Sequence, residues 1–146
     1  MWSDIAWYYL SFKGRISRQE FRLGYFGLIA ALIALRRPLE DFGFYVLRPP
    51  GRPWYRGELE WAMALSKLVL AGILLWPMIA IFVKRLHDAN LSGWWLMVPP
   101  AISAVAVTAN LGFPQVVLWA GVGSLFLIPG NEGDNRFGAD PLAHLR

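Results

Sequence analysis

The run from Trp61 to Val83, WAMALSKLVLAGILLWPMIAIFV, limits the possible folds more than any other stretch of this sequence. It holds 23 residues and one charged side chain, Lys67. As an α-helix it would be about 34 Å long, which is enough to cross the hydrocarbon core of a bilayer with some tilt. Because a lipid-exposed backbone must satisfy its hydrogen bonds internally, the run predicts a transmembrane helix over residues 61–83.

A shorter apolar run, residues 23–35, lies nearer the N-terminus and has an arginine on each side. As a helix it covers about 20 Å, so it spans a membrane only if the arginines snorkel and flanking residues extend the helix. Ser17 and Glu20 have the S-x-x-E spacing of a capping box, which predicts a helix start just after Ser17 and a span over residues 18–36. A signal-peptide core is the alternative, disfavoured by the preceding Glu20 and the lack of an A-x-A cleavage pattern.

Two further apolar segments, residues 94–109 and 115–129, are joined by a short uncharged connection and predict a helical hairpin. Pro99 and Pro100 lack backbone donors, which predicts a break or kink of the first of these helices after Val98. Small side chains would let the two helices approach closely, as interfaces in membranes prefer. The small residues concerned are Ala101, Ser103, Ala104, Ala106, Ala120, Gly121 and Gly123.

The predicted fold class is all-α: a membrane protein with a four-transmembrane-helix bundle and an N-terminal interfacial amphipathic helix. The N-terminal helix is indicated by apolar and aromatic residues at helical spacing from Trp2 to Leu10. We expect one integral membrane domain over residues 1–146, with an extramembrane loop at 37–60 and a polar C-terminal tail at 130–146. Residues 48–60 are rich in Pro, Gly and Arg, which argues against a regular helix there.

Composition and charge support the membrane interpretation. The chain is 56% hydrophobic and 16% charged, whereas soluble domains carry about 25% charged residues. With four spans both termini share one side, and that side holds more basic residues than the first loop does, so the positive-inside rule favours cytoplasmic termini. The basic residues on that side are Lys13, Arg15, Arg18, Arg22, Lys84, Arg85, Arg136 and Arg146.

The formal net charge of +4 indicates which partners to expect. In a membrane protein such charge suits the lipid bilayer and anionic lipid headgroups, so nucleic acid is not an expected partner, and protein partners remain unspecified. The chain has no cysteine, which excludes disulfides, thiolate zinc sites, iron–sulfur ligation and cysteine nucleophiles.

Three polar motifs fall on one predicted membrane face: the first motif, FKGRISRQEF (12–21), the second, KRLHDANLSGWW (84–95), and the third, GNEGDNRFGADP (130–141). In this order, separated by apolar runs, they resemble the DUF805 family of small bacterial inner-membrane proteins over nearly the whole chain. The chain departs from the family pattern at Lys84, often an arginine, and at Arg22, usually an aromatic residue. The resemblance implies a multi-span inner-membrane protein, and it implies no particular activity. The matching residues are Phe12, Gly14, Arg15, Arg18, Glu20, Phe21, Arg85, Leu86, His87, Asp88, Ser92, Gly93, Trp94, Trp95, Gly133, Asn135, Arg136, Phe137, Gly138, Asp140 and Pro141.

No complete catalytic set is visible in these motifs. His87 and Asp88 are adjacent, so on a helix they point about 100° apart and cannot form the His–carboxylate hydrogen bond of a triad by themselves. Zinc needs at least three protein ligands, and the other histidine, His144, lies near the C-terminal end. There is no phosphate loop and no Gly-x-Ser-x-Gly elbow. We therefore expect no enzyme activity, no metal and no cofactor.

The charges instead predict a polar cap, in which the three motifs close on one another. Arg15, Arg18 and Arg22 would line one helical face if the helix began before Ser17, and guanidinium groups match carboxylates bidentately. A structural cap is favoured over an active site, and a cap holding an anionic ligand or lipid headgroup is the sharper variant. The residues assigned to the cap are Arg15, Arg18, Glu20, Arg85, His87, Asp88, Asn135, Arg136 and Asp140.

The leading functional hypothesis is a non-enzymatic inner-membrane component, structural, stress-related or regulatory, acting through a cytoplasmic polar cap. One alternative is a transporter or channel subunit, because Lys67 is an intramembrane charge, although snorkelling toward the interface is the favoured interpretation. The other is a membrane-embedded module, or enzyme, that binds an anionic ligand with Arg15, Arg18, His87 and Asp88 around a polar cavity.

Overall fold

The computed structural model describes residues 2–46, 51 and 56–143, and within these ranges the chain is helical. The only extended pairing there is an isolated bridge between Asn135 and Gly138. The all-α class is therefore confirmed. His144, Arg146 and most of the predicted 48–55 turn region lie outside the described residues. The elements are α1 (Trp2–Leu10), α2 (Arg18–Val46), α3 (Arg56–Asp88), a 3-10 helix (Gly93–Met97), α4 (Val98–Thr108) and α5 (Pro114–Leu127).

The chain forms two compact units. The first comprises Met1–Gly24 and Ile79–Arg146, and the second comprises Tyr25–Met78. All three polar motifs belong to the first unit, while Lys67 belongs to the second.

The N-terminus of α2 is set by the predicted capping box. The backbone N–H of Ser17 donates to Glu20 Oε2 at 2.7 Å, and the N–H of Glu20 donates to Ser17 Oγ at 3.3 Å. This reciprocal pair satisfies two donors that a helix start otherwise leaves open, so the helix begins at Arg18. The predicted helix start is confirmed, and Arg15 precedes the helix, so the condition under which it would share a helical face with Arg18 and Arg22 is not met.

Helices α2 and α3 are both longer than the sequence indicated. The segment 37–60, expected to be a loop, is helical over 37–46 and again over 56–60. The expectation that residues 48–60 are too turn-rich for a helix was wrong at its last five residues. The Gly57 signal did not prevent helix formation, since α3 begins at Arg56 and includes it.

Among the described residues, one helix, Glu60–Asp88, is long and apolar enough to cross a membrane. Only 22% of its apolar window is buried within the protein, so it differs from the mostly buried core helix of a soluble domain. The stretches Gly93–Thr108 and Pro114–Leu127 are apolar but shorter. By this criterion of length and apolar character, the predicted count of four transmembrane helices is not confirmed.

Helices α4 and α5 form the predicted hairpin and pack against each other. Ser103 Oγ donates to the carbonyl of Pro114 at 2.9 Å, which ties α4 to the start of α5. A Cβ atom at Gly121 would lie 2.5 Å from Pro99 Cγ, whereas one at Gly123 would meet nothing within 4 Å. The close approach predicted from small residues is therefore made at Gly121 and not at Gly123.

The Pro99–Pro100 pair initiates a helix instead of breaking one. A 3-10 helix ends at Met97, and α4 begins at Val98 with both prolines in its first turn. N–H groups of a first turn have no intrahelical partner, so proline there removes no hydrogen bond. The expected break after Val98 was thus misplaced by a residue, and the irregular turn precedes the prolines.

Candidate functional site

The three polar motifs meet in the first unit, around the C-terminus of α3. The first motif connects α1 to α2, and the third follows α5. Lys84–Asp88, the first five residues of the second motif, continue α3 by more than a turn, and the chain reverses at Ala89–Asn90. Asn90 adopts the left-handed conformation with φ 58°, which suits asparagine at such a reversal. Asp88 is therefore presented by the rigid end of a long helix.

Asp88 lies at the centre of the site and is only 3% exposed. Its Oδ1 accepts hydrogen bonds from Arg15 Nε at 3.3 Å and Nη2 at 3.1 Å, so two N–H groups of the first motif bind one carboxylate oxygen of the second. Its Oδ2 accepts a hydrogen bond from Arg85 Nη1, one helical turn earlier. Gly130 lies against the same carboxylate, where a Cβ atom would collide with Oδ2.

The guanidinium groups of Arg15 and Arg85 are as buried as the carboxylate, with side chains 0% and 1% exposed. Two positive charges thus share one negative charge, and backbone carbonyls accept further N–H groups of both arginines. Arg15 donates to carbonyls of the third motif, and Arg85 donates to carbonyls at the end of α5. The acceptors are Gly133 at 2.6 Å, Gly138 at 3.3 Å and Asn131 at 2.5 Å for Arg15, and Leu125 at 3.0 Å and Ile128 for Arg85.

His87 is held by the neighbouring motifs and not by Asp88. Its Nδ1 donates to the carbonyl of Gly14 at 3.2 Å, and its ring stacks on Phe137 with centroids 3.9 Å apart and an interplanar angle of 4°. Asn135 Nδ2 donates to the backbone carbonyl of His87 at 2.9 Å. Arg136 covers Phe137 at 4.6 Å and donates to the Asn90 carbonyl at 3.1 Å. These contacts make His87 a packing and hydrogen-bonding residue at the junction of all three motifs.

Asp140 organises the third motif. Its Oδ2 accepts the N–H of Gly133 at 3.0 Å, and its Oδ1 accepts the N–H of Leu142 at 2.9 Å. Gly133 and Gly138 have φ of 74° and 145°, a region that favours glycine, so the loop can turn its carbonyls toward Arg15. These two bonds of the Asp140 carboxylate come from backbone N–H groups and hold the loop, while the predicted pairing of Asp140 with an arginine stays a prediction.

Lys84 is a site residue that the sequence-based assignment left out. It is 0% exposed, and its Nζ donates to the carbonyls of Trp7 and, at 2.8 Å, Tyr8. The same ammonium lies 4.1 Å from the centroid of a Trp7 ring. Lys84 thereby fastens the C-terminal end of α1 to α3. Its position at the end of an apolar run indicated only a charge that sets membrane orientation, and nothing local in the sequence signals its burial.

Helix α1 is confirmed over Trp2–Leu10, and Tyr8 attaches it to α2. The Tyr8 hydroxyl donates to the carbonyl of Glu20, and Gly24 leaves room for the ring, since a Cβ atom there would collide with it. Burial, assisted by the nearby Tyr9 and Glu20, raises the pKa of the Tyr8 phenol above its ordinary value, so the phenol stays protonated and remains a donor. The interfacial location predicted for α1 stays a prediction.

An open pocket of about 440 Å³ lies beside the buried Asp88 cluster. Arg18 and Arg22 line it, both are exposed, and neither makes a hydrogen bond or ion pair with another residue of the described ranges. Of the residues assigned to the cap, Arg18 makes no ion pair with Asp88 in the described ranges, and Glu20 is used in the capping box. The lining residues are Ser17, Arg18, Gln19, Arg22, Asp88, Pro129, Gly130, Asn131, Glu132, Asp140, Pro141 and Leu142.

Lys67 lies on α3 within the second unit and is exposed. It is thus not one of the residues that the three motifs bring together. Its snorkelling, and the transport role that was the alternative, both stay predictions.

Comparison with known proteins supports the family and the location. The profile of the DUF805 family, described as a protein of unknown function, matches residues 9–139. Inner membrane protein YhaI of Escherichia coli, from strain K12 and from O157:H7, is 34% identical over 77 residues, which are 53% of this chain and 53% of the relative. The chain thus spans about half the length of the curated relatives it matches. No solved structure matches the chain.

Proposed function

The chain belongs to the DUF805 family, and we propose that it is a non-enzymatic component of the bacterial inner membrane whose motifs form a polar cap on the cytoplasmic side. The observation that carries this proposal is the full use of Asp88 in structural bonds. Both carboxylate oxygens accept from buried arginines, and those arginines bind the third motif and the end of α5. The role assigned to the cap is to hold these segments in one fixed arrangement.

The bonding of the titratable groups argues for a non-enzymatic role. A general base must reach the proton it abstracts, and Asp88 is 3% exposed with both oxygens engaged. His87 uses Nδ1 on a backbone carbonyl and covers one ring face with Phe137. Neither residue is arranged as an acid–base partner of the other.

The proposal includes a multi-pass arrangement with cytoplasmic termini, in which α2, the 3-10 helix with α4, and α5 span the bilayer in addition to α3. Its support is the outward display of large apolar side chains on the shorter helices, such as Val105 and Trp119, which are 64% and 69% exposed. Trp94 and Trp95 are exposed next to the polar cap, where aromatic anchors at headgroup depth belong. The lipid bilayer is then the principal partner, with its anionic headgroups near the basic residues of the cap.

A binding module is the second candidate function. It is favoured by the open pocket beside the cap, which Arg18 and Arg22 line without partners in the described ranges. As a binding module, the protein would use the buried Asp88 cluster to hold the pocket walls in place. A ligand bound in the pocket would then control its regulatory or stress-related role.

Reporter fusions test the topology on which the proposal depends. Green fluorescent protein and alkaline phosphatase are fused after residue 90 and at the C-terminus. We expect fluorescence and no phosphatase activity at both sites, because both would be cytoplasmic. A fusion within residues 47–55 is the matched control and should show the reverse pattern. Opposite signals from residue 90 and the C-terminus would refute a shared cytoplasmic face.

A further inference from the structure

We propose that the pocket beside Asp88 binds a phosphate group through the guanidinium groups of Arg18 and Arg22. The inference rests on the proposed function, because it requires the polar cap that forms one wall of the pocket. The two can still fail separately, since neither arginine takes part in the bonds that hold the cap together.

The first observation is that the arginines of this unit differ in burial and in hydrogen bonding. Arg15 and Arg85 are buried, and a carboxylate and backbone carbonyls accept from their N–H groups. Arg18 and Arg22 are exposed on the first turns of α2, and in the described ranges no residue accepts from them. Their i, i+4 spacing places both on one helical face, and both line the pocket.

The second observation is the mutual repulsion of the arginines in this unit. Arg18 and Arg22 are both close enough to Arg85 to repel its charge. Both oxygens of the buried Asp88 are already engaged by Arg15 and Arg85, and the other carboxylates that line the pocket belong to Glu132 and Asp140. An anion held by Arg18 and Arg22 would offset this repulsion.

The chemistry of the pocket favours a single phosphate group. Guanidinium forks match phosphate oxygens bidentately, and two forks one turn apart can hold one such group from two directions. The helix start adds a favourable field for an anion. Glu132 and Asp140, which line the same pocket, disfavour a longer polyphosphate by like-charge repulsion. Pro129, Pro141 and Leu142 line the same pocket and can contact the carbon substituent of a phosphate ester.

A phosphate group can come from a phospholipid headgroup or from a soluble phosphate ester. Full-length protein is purified in detergent as the wild type, as R18Q/R22Q, and as K13Q, a change at an exposed basic residue that does not line the pocket. Native mass spectrometry measures retained phospholipid and phosphatidylglycerol binding, and calorimetry measures binding of inorganic phosphate and glycerol phosphate. We expect the wild type and K13Q to bind alike, and R18Q/R22Q to lose about tenfold in affinity per arginine.

Retention of phosphatidylglycerol without binding of the soluble probes identifies a lipid headgroup site, and binding of the soluble probes in lipid-free protein identifies a phosphate-ester site. Equal binding by the wild type and R18Q/R22Q, or no binding of any probe by the wild type, overturns the proposal. The unliganded melting temperature of R18Q/R22Q should not fall, because the cap bonds are unchanged, and this separates failure of the site from failure of the cap. The single variants R18Q and R22Q replace the double variant if it does not fold.

Discussion

Replacing Asp88 with alanine is the sharpest test of the polar cap. The change removes the carboxylate that accepts two hydrogen bonds from Arg15 and one from Arg85. Both cations then stay in a site where their side chains are 0% and 1% exposed. Because backbone carbonyls still accept from both groups, the arginines have no simple route to solvent, and their charges remain uncompensated.

The expected loss follows from what a broken buried pair costs. Removing one partner of such a pair destabilises a protein by about 3–5 kcal/mol, since an uncompensated charge is left behind. Two cations depend on Asp88, so we expect the free energy of unfolding to fall by the upper value, about 5 kcal/mol. For a chain of this size that corresponds to a fall of about 10–20 °C in melting temperature.

Thermal unfolding of the purified protein in detergent, followed by fluorescence of its 8 tryptophans, measures the effect. Asp88→Asn keeps the shape and one acceptor and should give an intermediate decrease. Asp41→Ala, at an exposed carboxylate of α2, is the control and should change stability by less than about 0.5 kcal/mol. A melting temperature of Asp88→Ala within about 2 °C of wild type would refute the reasoning, because it would mean that no buried charge depends on this carboxylate.

Two further predictions concern the attachment of α1 and the α4–α5 hairpin. Lys84→Met leaves two α1 carbonyls without their cation, so we expect a loss of about 2–3 kcal/mol and faster cleavage of α1 by chymotrypsin, with exposed Lys13→Met as the unaffected control. Gly121→Ala places a Cβ atom 2.5 Å from Pro99 and should destabilise the protein by about 1–3 kcal/mol. Gly123→Ala meets nothing within 4 Å and should be neutral or stabilising by up to about 1 kcal/mol; equal melting temperatures for both glycine variants would contradict close packing at Gly121.

Several parts of the fold could be predicted from the sequence because their causes are local. The capping box needs only Ser17 and Glu20, three residues apart, and the structure forms it as expected. The hairpin over residues 94–129 follows from two apolar runs with a short connection, and it too is present. The order and spacing of the three motifs indicated the family, which the profile match confirms.

The lengths of α2 and α3 were predicted less well than the capping box and the hairpin. Pro38 and Gly43 lie inside α2 and Gly57 lies inside α3, so the loop assigned to 37–60 included helical turns that belong to these two helices. Proline also has opposite effects at the start and in the middle of a helix, and the position of the helix start decided which effect Pro99 and Pro100 have.

The sequence indicated which residues form the polar cap, but it did not indicate which of their charged side chains pair with each other. Local pattern showed that arginines, carboxylates and glycines fall in three polar motifs, and periodicity and hydropathy predicted the helices that carry them. Only the tertiary structure decided that Arg15, and not Arg18, binds Asp88, across a separation of 73 residues, and that Lys84 is buried under α1. The physical reason is that hydrophobic periodicity and capping depend on near neighbours in the chain. The partner and burial of a charge depend on which distant segments fold against it, and this decides which arginines hold the cap together and which are left facing the pocket.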